Sequence, residues 1–587
     1  MIPEEPPAPA RSRDDLPGSG RTPGPGDVAA LALVQQCAWT LVWVAALASA
    51  LGLWGSWSAG PVVSVLAPVL VLVTLMGAVA VWTVPRPLGR ALPLAGLLVA
   101  LVTAGLSEGT AIFLRPFYTT DSAAFNQVAT RLLLDGHDPY TASMAPAARL
   151  LHPAAAYWTY LADGGRVLRV SYPAGSFLLQ APAMALGVTH LATDWVDLGA
   201  WLVTAVLVSC MLPPFLRWLA PLLLLTGTFL GPFANGGTDA LFVPFLVLAV
   251  WRWDRYPGRT TTWLPAWVGP VALGVACSVK QTPWFCVPFL VIGVALEARR
   301  SGAAPLRAAT GYLALVGVAF AAVNLPFVVA SPTAWLHGTL FPVAEPLVPD
   351  GQGLVALALH GLTGGVVTAW MSAAAGVAMV AMVTAFALFE QRLRRVWLFL
   401  VPLVLFLPDR SLANYLTDFV PAALVAAVSL GAGSGTSAAR GRPAWLAPVT
   451  VGVPALVSAA LLVVAFTSAP LTVTVDSAAA RGVATPGGGL SWSRVVVTVR
   501  NTSGTPLVPH FMISSGGGHP GGFWTARAVD GVDPVGPGAS TRFVLVPVRY
   551  TSTPPRGQWW VVDAYSSSPD ALSTSPLQRW ALGWPGN

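Results

Sequence analysis

The sequence predicts a mostly α-helical polytopic membrane protein that ends in an extracytoplasmic all-β sandwich, and three observations carry that prediction. The 587 residues are 55% hydrophobic and only 10% charged, whereas an ordinary soluble chain is about 25% charged. Apolar runs recur from residue 28 to residue 468, many of them close to the ~20 residues a helix needs to cross a bilayer. Beyond residue 470 the composition turns to Thr, Ser, Val and Trp in alternating patterns, the period of strands.

Taken in order, residues 1–27 read as a disordered cytoplasmic tail, rich in Pro, Gly and charge, without an apolar period or the features of a signal peptide. Spans follow at 28–51, 61–83, 91–107, 196–215, 219–233, 238–252, 263–278, 282–298, 308–328, 366–388, 396–407, 413–430 and 448–468, about thirteen in all, several of them short. The 57 glycines and 53 prolines are spread through these runs, as membrane helices tolerate. With the amino terminus in the cytoplasm, Arg86, Arg90, Arg217, Arg252, Arg255, Arg259, Arg299, Arg300, Arg307, Arg392, Arg394, Arg395, Arg440 and Arg442 all face inward. Far fewer cations face outward, as the positive-inside rule requires. This is the orientation expected of a multi-pass protein of the cell membrane.

The same parity decides two further points. The apolar run 173–190 must lie along the outer surface, because a crossing there would put every later Arg cluster outside. Residues 108–195 therefore form one long external loop with interfacial helices, and long loops of this kind are usually functional. Residues 471–587 are placed outside and read as a sandwich that folds alone, with strands over 494–500, 541–548 and 558–563.

Other classes are excluded or left without support. The net charge of +7 sits in short loops between spans, so no nucleic-acid partner is implied. Cys37, Cys210, Cys277 and Cys286 all lie in apolar stretches, which offers neither a disulfide framework nor a CxxC metal site. No metal site and no cofactor are expected, although a divalent ion stays open. His152, His337 and His360 fall on the outer side without zinc spacing.

The external loop carries the chemistry. Asp121 follows the third span and opens an amphipathic pattern that stops at Gly136. It reads either as an N-cap or as a general base at the mouth of a membrane-facing cavity, and the local sequence by itself favours the cap. Lys280 is the one lysine beside 31 arginines, and it is either an interfacial snorkeller or a ligand for an anion. Asp239 opens its span, where a carboxylate suits a helix start. Asp409 and Arg410 read as a pair at a turn. In the sandwich, Trp492, Trp524, Trp559 and Trp560 offer rings for sugar stacking, although neighbouring Trp559 and Trp560 must face opposite ways, one of them into the core.

Asp121, the helix after it, the Gly136-His-Asp138-Pro139-Tyr140 turn and the Tyr172-Pro173 opening of a surface helix resemble the first external loop of the GT-C superfamily of membrane glycosyltransferases. Gly236-Gly-Thr-Asp239-Ala-Leu and Val279-Lys280-Gln281-Thr282 resemble helix-entry motifs of its polyprenol-phosphate-mannose-dependent mannosyltransferases. The resemblance covers residues 91–430 and implies transfer of a sugar from a polyprenyl-phosphate donor to an envelope glycan or glycolipid among the membrane lipids. It implies Asp121 as the base, with Lys280, Arg410 and one or more of Arg115, Arg169 and Arg166 as ligands for the donor phosphate and Tyr140 and Asp239 as acceptor or sugar contacts. By outer-side position and ring chemistry, His337, His360, Trp524 and Trp559 are further expected sugar contacts. Two spans precede the loop instead of one. The external β-domain is a feature of arabinofuranosyltransferases, so arabinose stands beside mannose as donor sugar. A transporter and a non-enzymatic binder of envelope glycans are the competing classes.

Overall fold

The computed structural model describes residues 25–55, 61–84, 91–152, 157–227, 229, 238–256, 264–430, 448–482, 490–515, 522–529, 533–548 and 559–579. Most of the expected amino-terminal tail lies outside the described residues, as do Arg86, Arg90, Arg259, Arg440, Arg442 and Gly236; from Pro25 the chain is helical.

Among the described residues, eight helices are long and apolar enough to cross a membrane: Ala30–Trp54, Val62–Thr83, Leu92–Leu114, Ala192–Met211, Thr282–Arg300, Pro305–Ala330, Thr368–Leu393 and Val449–Thr467. Large apolar side chains such as Val65, Met76, Leu94, Val318 and Val329 stay exposed on them, the surface that lipid covers. The remaining expected spans are shorter. Pro214–Leu225, Thr238–Val250, Val268–Val279 and Ala413–Ser429 are apolar helical segments of 10–17 residues, and 396–407 holds only a 3₁₀ turn followed by Leu400–Leu405. A 12-residue helix rises about 18 Å, well under the ~30 Å hydrocarbon core. Against the expected count of about thirteen, the described residues hold eight full spans plus these partial helices, and residues 230–233 of the expected 219–233 span lie outside the described residues. Val268–Val279 stops at Lys280, and Asp418 lies between the Ala413–Thr417 and Val420–Ser429 stretches of another partial helix.

The external segment begins later than expected, because the third span runs to Leu114. Asp121–Leu134 is helical as the pattern predicts, and Gly136 ends it at φ +80. There the Gly136 N–H reaches Leu133 O and the His137 N–H reaches Leu132 O, a Schellman closure that needs the left-handed residue. Residues 173–190 form two short helices, Gly175–Leu178 and Ala181–Ala185, and not a crossing helix.

The carboxyl-terminal region is all-β, in two sheets. In one, β4 (Leu471–Gly482), β5 (Leu490–Asn501), β8 (Ser540–Val546) and β7 (Thr525–Ala528) lie in that order. In the other, β9 (Trp559–Ser567) carries β6 (His510–Ser515) on one edge and β10 (Asp570–Thr574) and β11 (Gln578–Arg579) on the other. This sheet does not stop at residue 471. Its next strand is β2 (Gly365–Val367), taken from just before the Thr368–Leu393 helix, with Leu572 opposite Val366. Thr368 ties the junction further, its hydroxyl donating to the Asp570 carboxylate at 2.6 Å. β9 is buried on both faces: Trp560, Val562 and Ala564 enter the sandwich core, while Tyr565 enters a core shared with the external loop. One sheet of the sandwich thus includes a strand that precedes the Thr368–Leu393 helix.

Candidate active site

Thr120, not Asp121, caps the loop helix, with its hydroxyl facing the Ala123 N–H. Asp121 occupies the first helical position, is 8% exposed, and accepts a hydrogen bond from the Thr159 backbone N–H at 2.6 Å. Burial raises the basicity of its carboxylate, opposed by the Thr159 N–H and by the charge of Arg410. The capping alternative read from sequence is thereby replaced by a buried carboxylate aimed at a hairpin. The rival carboxylates of the loop are engaged locally. Asp138 accepts from the Tyr140 N–H at 2.9 Å and from the Ser331 hydroxyl, and exposed Asp135 pairs with Arg131 at 3.6 Å.

Arg410, from the other half of the chain, acts by its charge on this carboxylate. It lies in β3 (Arg410–Ser411), parallel to β1 (Asp350–Gly351), and its guanidinium donates to Val348 O at 2.8 Å while acting on Asp350, Asp409, Tyr415 and Asp121. It therefore does not pair solely with its neighbour Asp409. Burial and the charge of Asp570 push the Asp409 carboxyl up to about 6.

Lys280 sits below. It is 4% exposed, its ammonium pairs with the Asp239 carboxylate, and it lies 4.7 Å from the Tyr415 ring centre and 5.4 Å from that of Tyr172. Asn414 donates to the other Asp239 oxygen. Lys280 thus does not snorkel, and Asp239 does not cap its helix, because each is the other's partner. Gly175 makes the approach possible: a Cβ there would stand 2.6 Å from Ser278 O, so only glycine lets the Tyr172 segment lie against the turn before Lys280. Burial raises the phenol of Tyr172, and the charges of Lys280 and, to a smaller extent, Asp121 both act on it.

The other expected contacts are placed elsewhere. Arg115 pairs with Asp194 at 2.5 Å. Exposed Arg169 lies 3.1 Å from His337 Nδ1, and His337 Nε2 lies 3.2 Å from Glu345. Arg166 stands over the rings of Trp158 and Tyr160. Tyr140 is buried between Phe177 and Phe327, and its hydroxyl donates to Tyr172 O at 2.8 Å, so it holds Tyr172 and offers no open face to a sugar. Trp524 is core, edge-on to Trp492, and is likewise corrected as a sugar platform. Trp559 is 51% exposed beside Arg579, with Trp560 inside. His360 is exposed after the Ala356–Leu359 helix.

Sequence reasoning missed Thr159, Asn414, Tyr415, Asp194, Asp197 and Asp418. Asp197 and Asp418 are 0% exposed, neither carboxylate has a hydrogen-bond partner, and both act on Asp239 and Lys280. The available signal was an acidic residue inside an apolar run. Among the described residues no three His, Cys, Asp or Glu side chains gather as metal ligands. Compared with family models, curated proteins and solved structures, the chain gives no match.

Proposed function

We propose that this chain is a membrane glycosyltransferase of the GT-C kind that moves a sugar, mannose by its motifs, from a polyprenyl-phosphate donor to an envelope glycan or glycolipid on the extracytoplasmic side of the cell membrane. The observation that carries this reading is Asp121, a buried carboxylate of raised basicity that neither caps its helix nor serves a turn and that lies within the field of Arg410. In the proposed step the acceptor hydroxyl gives its proton to Asp121 as its oxygen bonds to the anomeric carbon. The bond from that carbon to the phosphate oxygen breaks, and the electron pair leaves on polyprenyl phosphate, whose charge Arg410 meets. Attack from the face opposite the leaving group inverts the anomeric centre. Lys280 is engaged by Asp239, so in this reading it supports Tyr172 and Tyr415 and does not hold the phosphate.

One observation favours a second reading. Asp197 and Asp418 are buried and unpartnered, and Asp418 lies between the short helices Ala413–Thr417 and Val420–Ser429, a break of the kind that discontinuous helices of transporters use to hold a coupling ion. Purified protein in lipid nanodiscs, given polyprenyl-phosphate mannose or arabinofuranose and envelope lipid acceptors, should release polyprenyl phosphate from one donor. Solute flux in proteoliposomes with neither donor consumed would replace the first reading with the second.

A further inference from the structure

We infer that the carboxyl-terminal sandwich is a structural part of the site, and that Phe523 is a positioning residue which sets Asp121 and Arg410 together through the hairpin of residues 158–167. The inference rests on the proposed function only for what the positioned pair does. Its geometry stands separately.

The hairpin is short, closed by the Tyr160–Arg166 bridge and by Leu161 N–H to Gly165 O at 3.0 Å. Two adjacent residues of it hold both charged groups. The Thr159 N–H holds the Asp121 carboxylate at 2.6 Å. The next carbonyl, Tyr160 O, accepts the Val348 N–H at 2.9 Å, and Val348 O in turn accepts the Arg410 guanidinium at 2.8 Å. A shift of this dipeptide therefore moves the Asp121 carboxylate and the Arg410 guanidinium at once.

What fixes the dipeptide comes from the sandwich. Tyr565, fully buried on the face of β9 turned away from the sandwich core, meets Phe523 edge-on at 5.8 Å, and Phe523 meets Tyr160 edge-on at 5.3 Å. His510 of β6 packs on Phe523 at 5.8 Å. Its ring also closes over the hairpin tip, where a Cβ on Gly164 would come within 2.7 Å of Nδ1 and where φ is +86. Rings in these arrangements have defined relative orientations, so this file of rings transmits the placement of β9 to Thr159. Trp158 adds a second tie within the loop, its indole donating to Val167 O at 2.7 Å.

The test reads the hairpin directly and does not depend on turnover. Hydrogen–deuterium exchange of the full-length protein in nanodiscs is compared for wild type, Phe523→Ala, Phe523→Leu and Phe523→Tyr. Phe523→Ala and Phe523→Leu should raise exchange over residues 157–168 by about ten-fold or more, with residues 494–500 of β5 as protected as in wild type, and Phe523→Tyr, which keeps the ring, should restore protection. Phe523→Leu keeps most of the volume, so it decides the question even where the alanine variant loosens the sandwich. Wild-type exchange over 157–168 in a folded Phe523→Leu protein overturns the inference, whatever reaction the site performs. Failure of the glycosyltransferase reading would show instead as no donor consumption by a protein whose hairpin responds as predicted.

Discussion

The Thr282–Arg300 helix joins two groups of buried charge that differ in kind. At its far end Arg300 meets Glu390 and, at 2.6 Å, Glu297, and Arg394 lies within 3.4 Å of Asp254, Glu297 and Glu390. Every carboxylate there has a cation. At its near end Lys280 has Asp239, but Asp197 and Asp418 have no hydrogen-bond partner and Asp121 is held by a backbone N–H. A closed network of ion pairs fixes helices to one another, whereas charge left uncompensated in a buried place costs stability and persists where it is used.

The comparison is broken most severely by removing a cation from the closed network. Arg394→Ala should cost about 3–5 kcal/mol, because three carboxylates lose a partner at once, and denaturant unfolding in detergent measures it. Lys280→Gln should cost a similar amount, since it leaves Asp239 buried without its cation, and adding Asp239→Asn should recover most of the loss. A single variant as stable as wild type would mean that Lys280 is no structural partner of Asp239.

A smaller effect concerns pH. The Asp409 carboxyl is raised in the folded protein from 3.8 to about 6, so the folded state binds the proton more tightly than the unfolded one. Its favourable contribution is complete below about pH 4 and is lost as pH rises toward 6. Asp409→Asn should flatten that part of the stability profile. The smallest effect is expected where a carboxyl already has no partner: Asp197→Asn and Asp418→Asn should change stability by less than about 1 kcal/mol, because no hydrogen bond is lost.

Much of the architecture was legible in the sequence because it follows from period and composition. The loop helix, its stop at Gly136 and the strands around 494–500 and 559–563 all appear where the patterns put them, and residues 173–190 form no crossing helix. The span count was not, because hydropathy registers an apolar run and not the charged residue at which a helix breaks off. Lys280 and Asp418 each sit at such a break. Within the site, Asp121, Lys280, Asp239 and Arg410 were named from sequence, but their pairing was not, since Asp239 and Lys280 are 41 residues apart. Nor did strand alternation reveal that β2 completes a sheet of the sandwich: its three residues carry no signal of their own, and their partner lies some two hundred positions away.

The central claim is that Asp121 takes the acceptor proton, and the direct measurement is the rate of polyprenyl phosphate release by Asp121→Asn at equal amounts of folded protein. Asparagine keeps the size of the side chain and removes its basicity. The account predicts a fall of about 10²–10⁴-fold in release with donor binding and unfolding temperature close to wild type. Near-wild-type release by Asp121→Asn would contradict it.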